Sequence, residues 1–251
     1  MILQVEHLEK VYSGKVSHRA LDDISMFVEE GEFIAIMGPS GSGKSTFLNT
    51  ISTVDKPSGG LVFINGRDPH LLSDQELAKF RRKELGFVFQ DFNLINTLTV
   101  EENIMLPLAL DNQENNRMLE KVNELVHLLG IENILKKRTY EISGGQAQRV
   151  AVARAVINHP SLLLADEPTG NLDSRAAKDV MKLFQLLNDK MGITILMVTH
   201  DPNVASYSDK TYVIKDGSIF QELLKKDSRS TYYKEIMSTM SLLGGESNDF
   251  I

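Results

Sequence analysis

Apolar and polar residues alternate over residues 2–8, and this period of two predicts a half-buried strand. A second strand is predicted over residues 20–30, ending at Gly31. Short apolar runs indicate buried strands, and these are "FIAIM" (33–37), "LGFVFQ" (85–90), "SLLLAD" (161–166) and "GITILMVTH" (192–200). An Asn-Gly turn closes "LVFINGRD" (61–68), and an Asp-Gly turn predicts a hairpin over 211–223.

Helical patterns fill the segments between these strands. We expect helices over 44–52, from the capping box Ser73-x-x-Glu76 onward, over 100–135 with an interruption at Pro107, and over 173–190. The strand–helix alternation predicts an α/β fold with a mostly parallel sheet. Residues 91–158 hold the excess of helix and form a candidate helical subdomain.

The tail, residues 224–251, begins with charged residues and is predicted to be partly helical. Its apolar residues Tyr233, Ile236, Met237 and Met240 are spaced like one helix face. A helix packed back on the domain is favoured over one lying on a membrane surface.

Composition narrows the possible functions. The 251 residues contain 42% hydrophobic and 24% charged residues, as in soluble globular proteins. The net charge of −7 argues against general nucleic-acid binding, and the absence of cysteine excludes disulfides, thiol catalysis and Cys-ligated zinc. The chain shows no apolar run of membrane-spanning length and no secretory signal, so we expect an intracellular protein.

The segment "GPSGSGKS" (38–45) matches the phosphate-binding pattern G-x-x-x-x-G-K-[ST] between a strand and a helix. Backbone N–H groups and Lys44 are expected to bind nucleotide phosphates, and the Ser45 hydroxyl to ligate Mg²⁺. The candidate ATP-binding residues are Tyr12, Gly38, Pro39, Ser40, Gly41, Ser42, Gly43, Lys44, Ser45 and Thr46.

Further polar side chains follow three apolar strands. Asp166 is a candidate Mg²⁺ ligand and Glu167 a candidate general base, although adjacent acids after a strand also occur as helix caps. His200 would share their edge of a parallel sheet and orient the attacking water. Gln90 suits contact with Mg²⁺ or that water, and the Tyr12 ring could stack on adenine or serve only packing.

A second candidate phosphate-binding segment is "ISGGQAQR" (142–149). It has no lysine, so Ser143, Gly144, Gly145 and Gln146 form at most half a site. These residues would contact a nucleotide held by another copy of the chain. Ser143 would equally serve as an ordinary helix N-cap, and both roles use the same geometry.

The ordered motifs resemble those of the ATP-binding subunit of ABC transporters. They are Tyr12, "GPSGSGKS", Gln90, "ISGGQ", "LLLADEP", "NLD" and His200, spread over residues 2–222. The resemblance implies a P-loop NTPase domain over 2–240, with a mixed, mostly parallel core sheet, an N-terminal antiparallel β subdomain and an inserted helical subdomain.

The resemblance also implies ATP and Mg²⁺ as ligands and a head-to-tail homodimer with Asp173 at its interface. Gln90 and the segment after it would face an integral-membrane permease, which places the chain at the cytoplasmic face of the membrane. "GFVFQDFNLINTLTVEENI" and "DEPTGNLD" are similar to macrolide- and lipoprotein-export ATPases. The tail resembles ATPases of bacitracin and lantibiotic resistance, which implies peptide resistance and, through the permease, a sensor histidine kinase.

Two alternatives remain open at the level of sequence. The chain could serve lipoprotein release or macrolide efflux with a different permease. It could also be a non-transport ABC ATPase of DNA repair or translation. The single cassette, the short spacing between the two phosphate motifs and the acidic charge disfavour that second class.

Overall fold

A computed structural model describes residues 1–14, 16–111 and 113–245 of the chain. The polypeptide forms a three-stranded antiparallel sheet and a six-stranded, mostly parallel sheet, with helices packed against them. This arrangement confirms the α/β class. None of the helices in the described ranges is both long and apolar enough to cross a bilayer.

The smaller sheet is built from β1 (Leu3–Tyr12), β2 (His18–Val28) and β4 (Gly59–Ile64), in the order β2-β1-β4. Its strands bury alternate residues, as the period of two predicts. The Tyr12 end of β1 pairs with His18, the first residue of β2. Tyr12 and His18 flank the turn of the β1–β2 hairpin, and both lie at the rim of the functional site.

The larger sheet has the order β5-β6-β7-β3-β8-β9, and only β9 is antiparallel to its neighbour. Its strands are β3 (Phe33–Met37), β5 (Leu85–Val88), β6 (Leu162–Asp166), β7 (Thr194–Val198), β8 (Lys210–Lys215) and β9 (Ser218–Leu224). The central strands are almost entirely buried, because helices cover both faces of the sheet. Parallel pairing aligns the carboxyl ends of β3, β6 and β7 at one edge.

Eight helices connect or cover these strands in the described ranges. They are α1 (Lys44–Ile51), α2 (Asp74–Glu84), α3 (Val100–Leu110), α4 (Asn115–Leu129), α5 (Gly144–Val156), α6 (Ser174–Met191), α7 (Pro202–Ala205) and α8 (Arg229–Gly245). The capping box predicted at Ser73 and Glu76 is present at the start of α2. Helices α3, α4 and α5 lie between β5 and β6 in the chain. This is the segment proposed as a helical subdomain.

Pro107 does not interrupt its helix, contrary to the sequence expectation. It lies inside α3, which continues to Leu110. A proline costs an α-helix the hydrogen bond to the carbonyl four residues earlier, here that of Asn103. Because Pro107 is in the last turn, only the end of the helix loses a bond, and the helix persists.

The tail helix α8 packs back on the domain, but its predicted apolar face is partly wrong. Tyr232 and Ile236 are buried, whereas Tyr233 and Met237 are 36% and 39% exposed. The Tyr232 hydroxyl lies 2.7 Å from the Thr211 hydroxyl and 3.1 Å from the Leu223 carbonyl oxygen. The buried Tyr232 hydroxyl therefore keeps its hydrogen bonds. This favours burial of the face of α8 that carries Tyr232.

Replacing Tyr232 by Phe should destabilise the attachment of α8 to β8 and β9. Burial raises the pKa of Tyr232 to about 12, so the hydroxyl stays a donor at neutral pH. Its loss leaves the buried Leu223 carbonyl or the Thr211 hydroxyl without that donor, at a cost of about 1–3 kcal/mol. Chemical denaturation measures this loss, and Tyr233→Phe, on the exposed face, should change stability by less than about 0.5 kcal/mol.

Candidate functional site

The loop of residues 38–43 joins β3 to α1, whose first turn carries Lys44, Ser45 and Thr46, and the loop can be formed only with glycine at two positions. A Cβ on Gly38 would lie 2.1 Å from the Ile214 carbonyl oxygen, and one on Gly43 2.5 Å from that of Ala20. Gly43 also has φ 101° as the residue that caps α1. The loop is thus wedged between β8 and β2 with its backbone N–H groups at a helix N-terminus, an arrangement that favours anions.

Two side chains within this loop fit a phosphate group. The Lys44 ammonium donates to the carbonyl oxygens of Gly38 and Pro39, both at 2.8 Å, which holds it under the loop. Burial lowers the pKa of Lys44, while Glu167 and Asp166 act to raise it. The buried Ser42 hydroxyl has no hydrogen-bond partner among the described residues. An anion bound beside Lys44 would favour the charged ammonium, whereas the Ser42 hydroxyl is enclosed by the protein.

The loop forms one wall of a cleft of about 670 Å³. Its other walls come from the β1–β2 hairpin, from the ends of β6 and β7, and from α8. The lining residues are Tyr12, His18, Ala20, Gly38, Pro39, Ser40, Gly41, Gly43, Lys44, Ser45, Thr46, Glu167, His200 and Met240. The structure therefore brings together Tyr12, most of the phosphate loop, Glu167 and His200, as the sequence predicts.

Glu167 and His200 form a pair at the carboxyl edge of the large sheet. Glu167 Oε1 lies 2.8 Å from His200 Nδ1. Glu167 has φ 44°, a left-handed conformation that is rare outside glycine, and its N–H donates to the Val198 carbonyl oxygen at 3.0 Å. The carboxylate is largely enclosed, with 17% of its side chain exposed, whereas the His200 ring is 72% exposed. The Glu167 carboxylate is thus held at the cleft, next to the exposed imidazole of His200.

Asp166 ends β6 next to Glu167 and is not among the described residues that line the cleft. Burial, and after it the charge of Glu167, raises the pKa of Asp166, while Lys44 acts to lower it. No group of three or more His, Cys, Asp or Glu residues capable of holding a metal occurs in the part of the chain that is described. Mg²⁺ commonly takes one or two protein ligands together with phosphate oxygens, and the carboxylate of Asp166 and the hydroxyl of Ser45 are oxygen ligands of that kind.

Tyr12 is anchored at the rim of the cleft. Its hydroxyl donates to Asp55 Oδ2 at 2.8 Å, and the Lys10 ammonium lies 4.9 Å from the centre of its ring. Lys10 also donates to Asp55 Oδ1 at 2.6 Å. With its hydroxyl fixed and 41% of the residue exposed, the ring can present a face to a planar ligand.

Gln90, like Asp166 and Ser42, is not among the described residues that line the larger cleft. It follows β5, and its side-chain amide donates to Asn171 Oδ1 at 3.3 Å. The predicted contact of Gln90 with Mg²⁺ or water stays a prediction that requires this side chain to move.

The second phosphate motif lines a separate cleft of about 360 Å³. Ser143, Gly145 and Gln146 share it with Asp173, at the start of α6. Ser143 caps α5, accepting from the Gln146 N–H at 3.3 Å, and Asp173 caps α6, accepting from the N–H groups of Arg175 and Ala176 at 2.9 Å. The N-cap role predicted for Ser143 is thus present. In the described structure, no residue lines both clefts.

Sequence reasoning missed three residues that connect these features. Gln148 is fully buried and donates to the Pro168 carbonyl oxygen at 2.6 Å. Asn171 donates a hydrogen bond to Asp91, next to Gln90. Met240 of α8 lines the cleft of about 670 Å³. Gln148 and Asn171 lie within or beside recognised motifs, but their partners are far away in sequence. No local pattern could have assigned them.

Comparisons with known proteins agree with this geometry. The ABC transporter family matches residues 21–170. The ABC transporter ATP-binding protein YxdL of Bacillus subtilis is 57% identical over 99% of this chain and 96% of its own length. The bacitracin export ATP-binding protein BceA of Halalkalibacterium halodurans is 48% identical over 99% of both chains.

A solved structure shows the same fold. It is the dimeric, post-hydrolysis ATP-binding cassette MJ0796 bound to ADP and Pi, with a TM-score of 0.82 and 40% identity. The alignment covers 90% of this chain and all of the other. The family match, the identities and the shared fold agree. The chain therefore belongs to the ABC transporter family, as an ATP-binding subunit that hydrolyses ATP.

Proposed function

We propose that this chain binds Mg·ATP in the larger cleft and hydrolyses it as one half of a head-to-tail homodimer that powers a membrane permease. Lys44 and the N–H groups of residues 38–46 would hold the phosphates, and the Tyr12 ring would stack on the adenine. Ser45, Asp166 and Gln90 would hold Mg²⁺. The separation of the two phosphate motifs into different clefts carries this proposal.

Glu167 would act as general base in the hydrolysis. It takes a proton from a water molecule, whose oxygen attacks the γ-phosphorus while the bond to the bridging oxygen of ADP breaks. His200, 2.8 Å from Glu167, orients the carboxylate and can hold a γ-phosphate oxygen. When bound, Mg²⁺ neutralises charge on the β- and γ-phosphate oxygens.

The signature residues Ser143, Gly144, Gly145 and Gln146 would act on a partner's ATP. Their cleft shares no lining residue with the Lys44 cleft in the described structure, and it contains Asp173. A helix N-terminus with a hydroxyl and glycine N–H groups can donate to a γ-phosphate that is held elsewhere. A second copy supplies that phosphate, and two such contacts close a symmetric dimer.

A groove between α2, β5, α3 and α5 supports a permease contact. Its volume is about 370 Å³, and it is lined by Arg81, Arg82, Leu85, Gly86, Phe87, Phe89, Asn93, Leu106, Pro107, Leu110, Arg154, Ala155 and Asn158. The arginines of the groove are bonded within the chain, Arg81 to Thr53, Arg82 to Asp111 and Arg154 to the carbonyl oxygens of Phe92 and Asn93. The apolar floor is therefore the part that suits an apolar segment of a partner. Since Phe89 precedes Gln90, a segment bound there would lie next to the proposed Mg²⁺ ligand. This contact would hold the subunit at the cytoplasmic face of the membrane.

Resistance to antimicrobial peptides such as bacitracin is the transport role that we favour. The relative named for bacitracin export matches 99% of this chain, whereas the archaeal cassette of known structure matches 90%. The bacitracin-export relative thus matches more of this chain than the cassette does. Expression of the chain with its permease should raise bacitracin resistance, while efflux of a macrolide or lipoprotein release instead would overturn this assignment.

Glu167→Gln should keep ATP binding but reduce the hydrolysis rate at least about a hundredfold, because the base is lost while the amide keeps its size. The dimer should then persist with ATP. Phosphate release and size-exclusion chromatography measure the two effects. Glu30→Gln, on an exposed turn, is the matched control. Hydrolysis at the parent rate in the Glu167 variant would refute the general-base role.

Gly145→Asp should preserve nucleotide binding by the Lys44 loop but abolish ATP-driven dimerisation. Its Cβ would lie 3.1 Å from that of Ala176, so the carboxylate is forced toward the open cleft, where it repels a partner's phosphate. A fluorescent ATP analogue reports binding, and light scattering in the Glu167→Gln background reports association. Asn116→Asp controls for the added charge, and normal association of the Gly145 variant would contradict the half-site.

Leu110→Asp should reduce co-purification of the permease at least tenfold without changing hydrolysis by the isolated subunit. Leu110 is 58% exposed at the groove, so the change buries a carboxylate only when the permease binds. Leu71→Asp, at a position 83% exposed outside the groove, is the control. Equal permease recovery with both variants would place the docking surface elsewhere.

A further inference from the structure

The loop Gly170–Asp173 and the segment Gln90–Asp91 are joined by a compact set of hydrogen bonds. The Asn171 amide donates to Asp91 Oδ1 at 2.7 Å and to the Gln90 carbonyl oxygen at 3.2 Å. In return, the Gln90 amide donates to Asn171 Oδ1 at 3.3 Å. Asn171 therefore uses both ends of its side chain to hold one residue pair that lies about eighty positions earlier in the chain.

Because Gly170 has no side chain, the Gln90 side chain can lie directly against its backbone. A Cβ there would lie 3.0 Å from both Cδ and Nε2 of Gln90. Its backbone has no positive φ that would itself require glycine. The Gln90 side chain therefore rests directly over Gly170, and even a methyl group at this position would displace it.

Helix α5 holds the residues that precede the two segments, Phe89 before Gln90 and Pro168 before the loop Gly170–Asp173. The fully buried Gln148 donates to the Pro168 carbonyl oxygen at 2.6 Å and to that of Phe89 at 3.5 Å. The tips of the two segments lack such a buried anchor, because Gln90, Gly170 and Asn171 are all exposed. The tip bonds are the ones that must break for Gln90 to reach Mg²⁺.

We propose that Asn171 is a positioning residue that holds Gln90 out of the nucleotide cleft until the loop ending at Asp173 moves. This inference rests on the proposed role of Gln90 at Mg²⁺. Asp173 lies in the cleft of the second phosphate motif, where the partner copy would dock. Docking of the partner would thereby release Gln90, so that the metal site is completed only in the assembled dimer.

Release of Gln90 should be visible without nucleotide. The side-chain amide signals of Gln90, identified by their loss in Gln90→Ala, can be followed by ¹H–¹⁵N NMR on the full chain. Asn171→Ala and Gly170→Ala should each shift these signals and speed their exchange with solvent. Asn116→Ala, an amide truncation on the exposed start of α4, should leave them in place. Unchanged signals in both loop variants would overturn the proposal.

The rate of ATP hydrolysis provides a second test of the same proposal. Asn171→Ala should raise basal hydrolysis about two- to tenfold, the population shift expected from losing one net hydrogen bond. The gain must disappear when Gln90→Ala is added, because Gln90 is the group released. A rate that falls, or a gain that survives without Gln90, would contradict the proposal.

A reciprocal exchange separates a specific bond from general loop damage. Asn171→Asp removes both donations from the Asn171 amide and places a carboxylate against that of Asp91. Repulsion should move residue 171 away, and with it the oxygen that accepts from the Gln90 amide. Adding Asp91→Asn restores a donor–acceptor pair with its direction reversed, and should move the NMR signals and the rate back toward parent values. Failure of this rescue would overturn the positioning role. A parent chain without ATP hydrolysis would instead refute the proposed function, while the NMR arm would still decide whether Asn171 holds Gln90.

Discussion

The parallel pairing of β3, β6 and β7 is the constraint on which the rest of the structure depends. It aligns the residues that follow these strands at one edge of the sheet, so the Lys44 loop, Asp166, Glu167 and His200 meet although they are far apart in sequence. Burial at that edge then sets their chemistry. The pKa of Lys44 is lowered and that of Asp166 is raised, because both charges are partly removed from water.

This edge supplies only part of a nucleotide site. The phosphate loop has a buried, unpartnered Ser42 hydroxyl, and a second motif of phosphate-binding type faces a different cleft. A single fold that carries two incomplete surfaces of complementary chemistry fits a symmetric dimer. The solved dimer of a relative with 40% identity supports this interpretation. Under the proposed function, closing such a dimer would supply the motion that drives the permease.

Features encoded within one short segment could be predicted from the sequence. The Lys44 loop needs only its own glycines and the flanking strand and helix, and the Asp216–Gly217 turn needs only two residues with positive φ. The pair formed by Glu167 and His200 required one further assumption, that their strands are parallel neighbours. That assumption is confirmed.

Features that depend on distant partners were harder to predict. The Gln90 side chain bonds to Asn171, whose amide can bond in many ways that no local pattern distinguishes. The buried face of α8 is selected by the Thr211 hydroxyl and the Leu223 carbonyl, which favour Tyr232 over the equally apolar Tyr233. Met240 reaches the cleft only because α8 is anchored there.

The composite nature of the site can be tested most directly by cross-linking, because the natural chain contains no cysteine. Two differently tagged Glu167→Gln chains, one with Ser40→Cys and the other with Ser143→Cys, would be mixed and treated with a short thiol cross-linker. We predict ATP-dependent joining of the two different tags, and little joining when both chains carry the same substitution. ATP-dependent joining of like positions, or no joining while ATP is bound, would contradict a site shared between protomers.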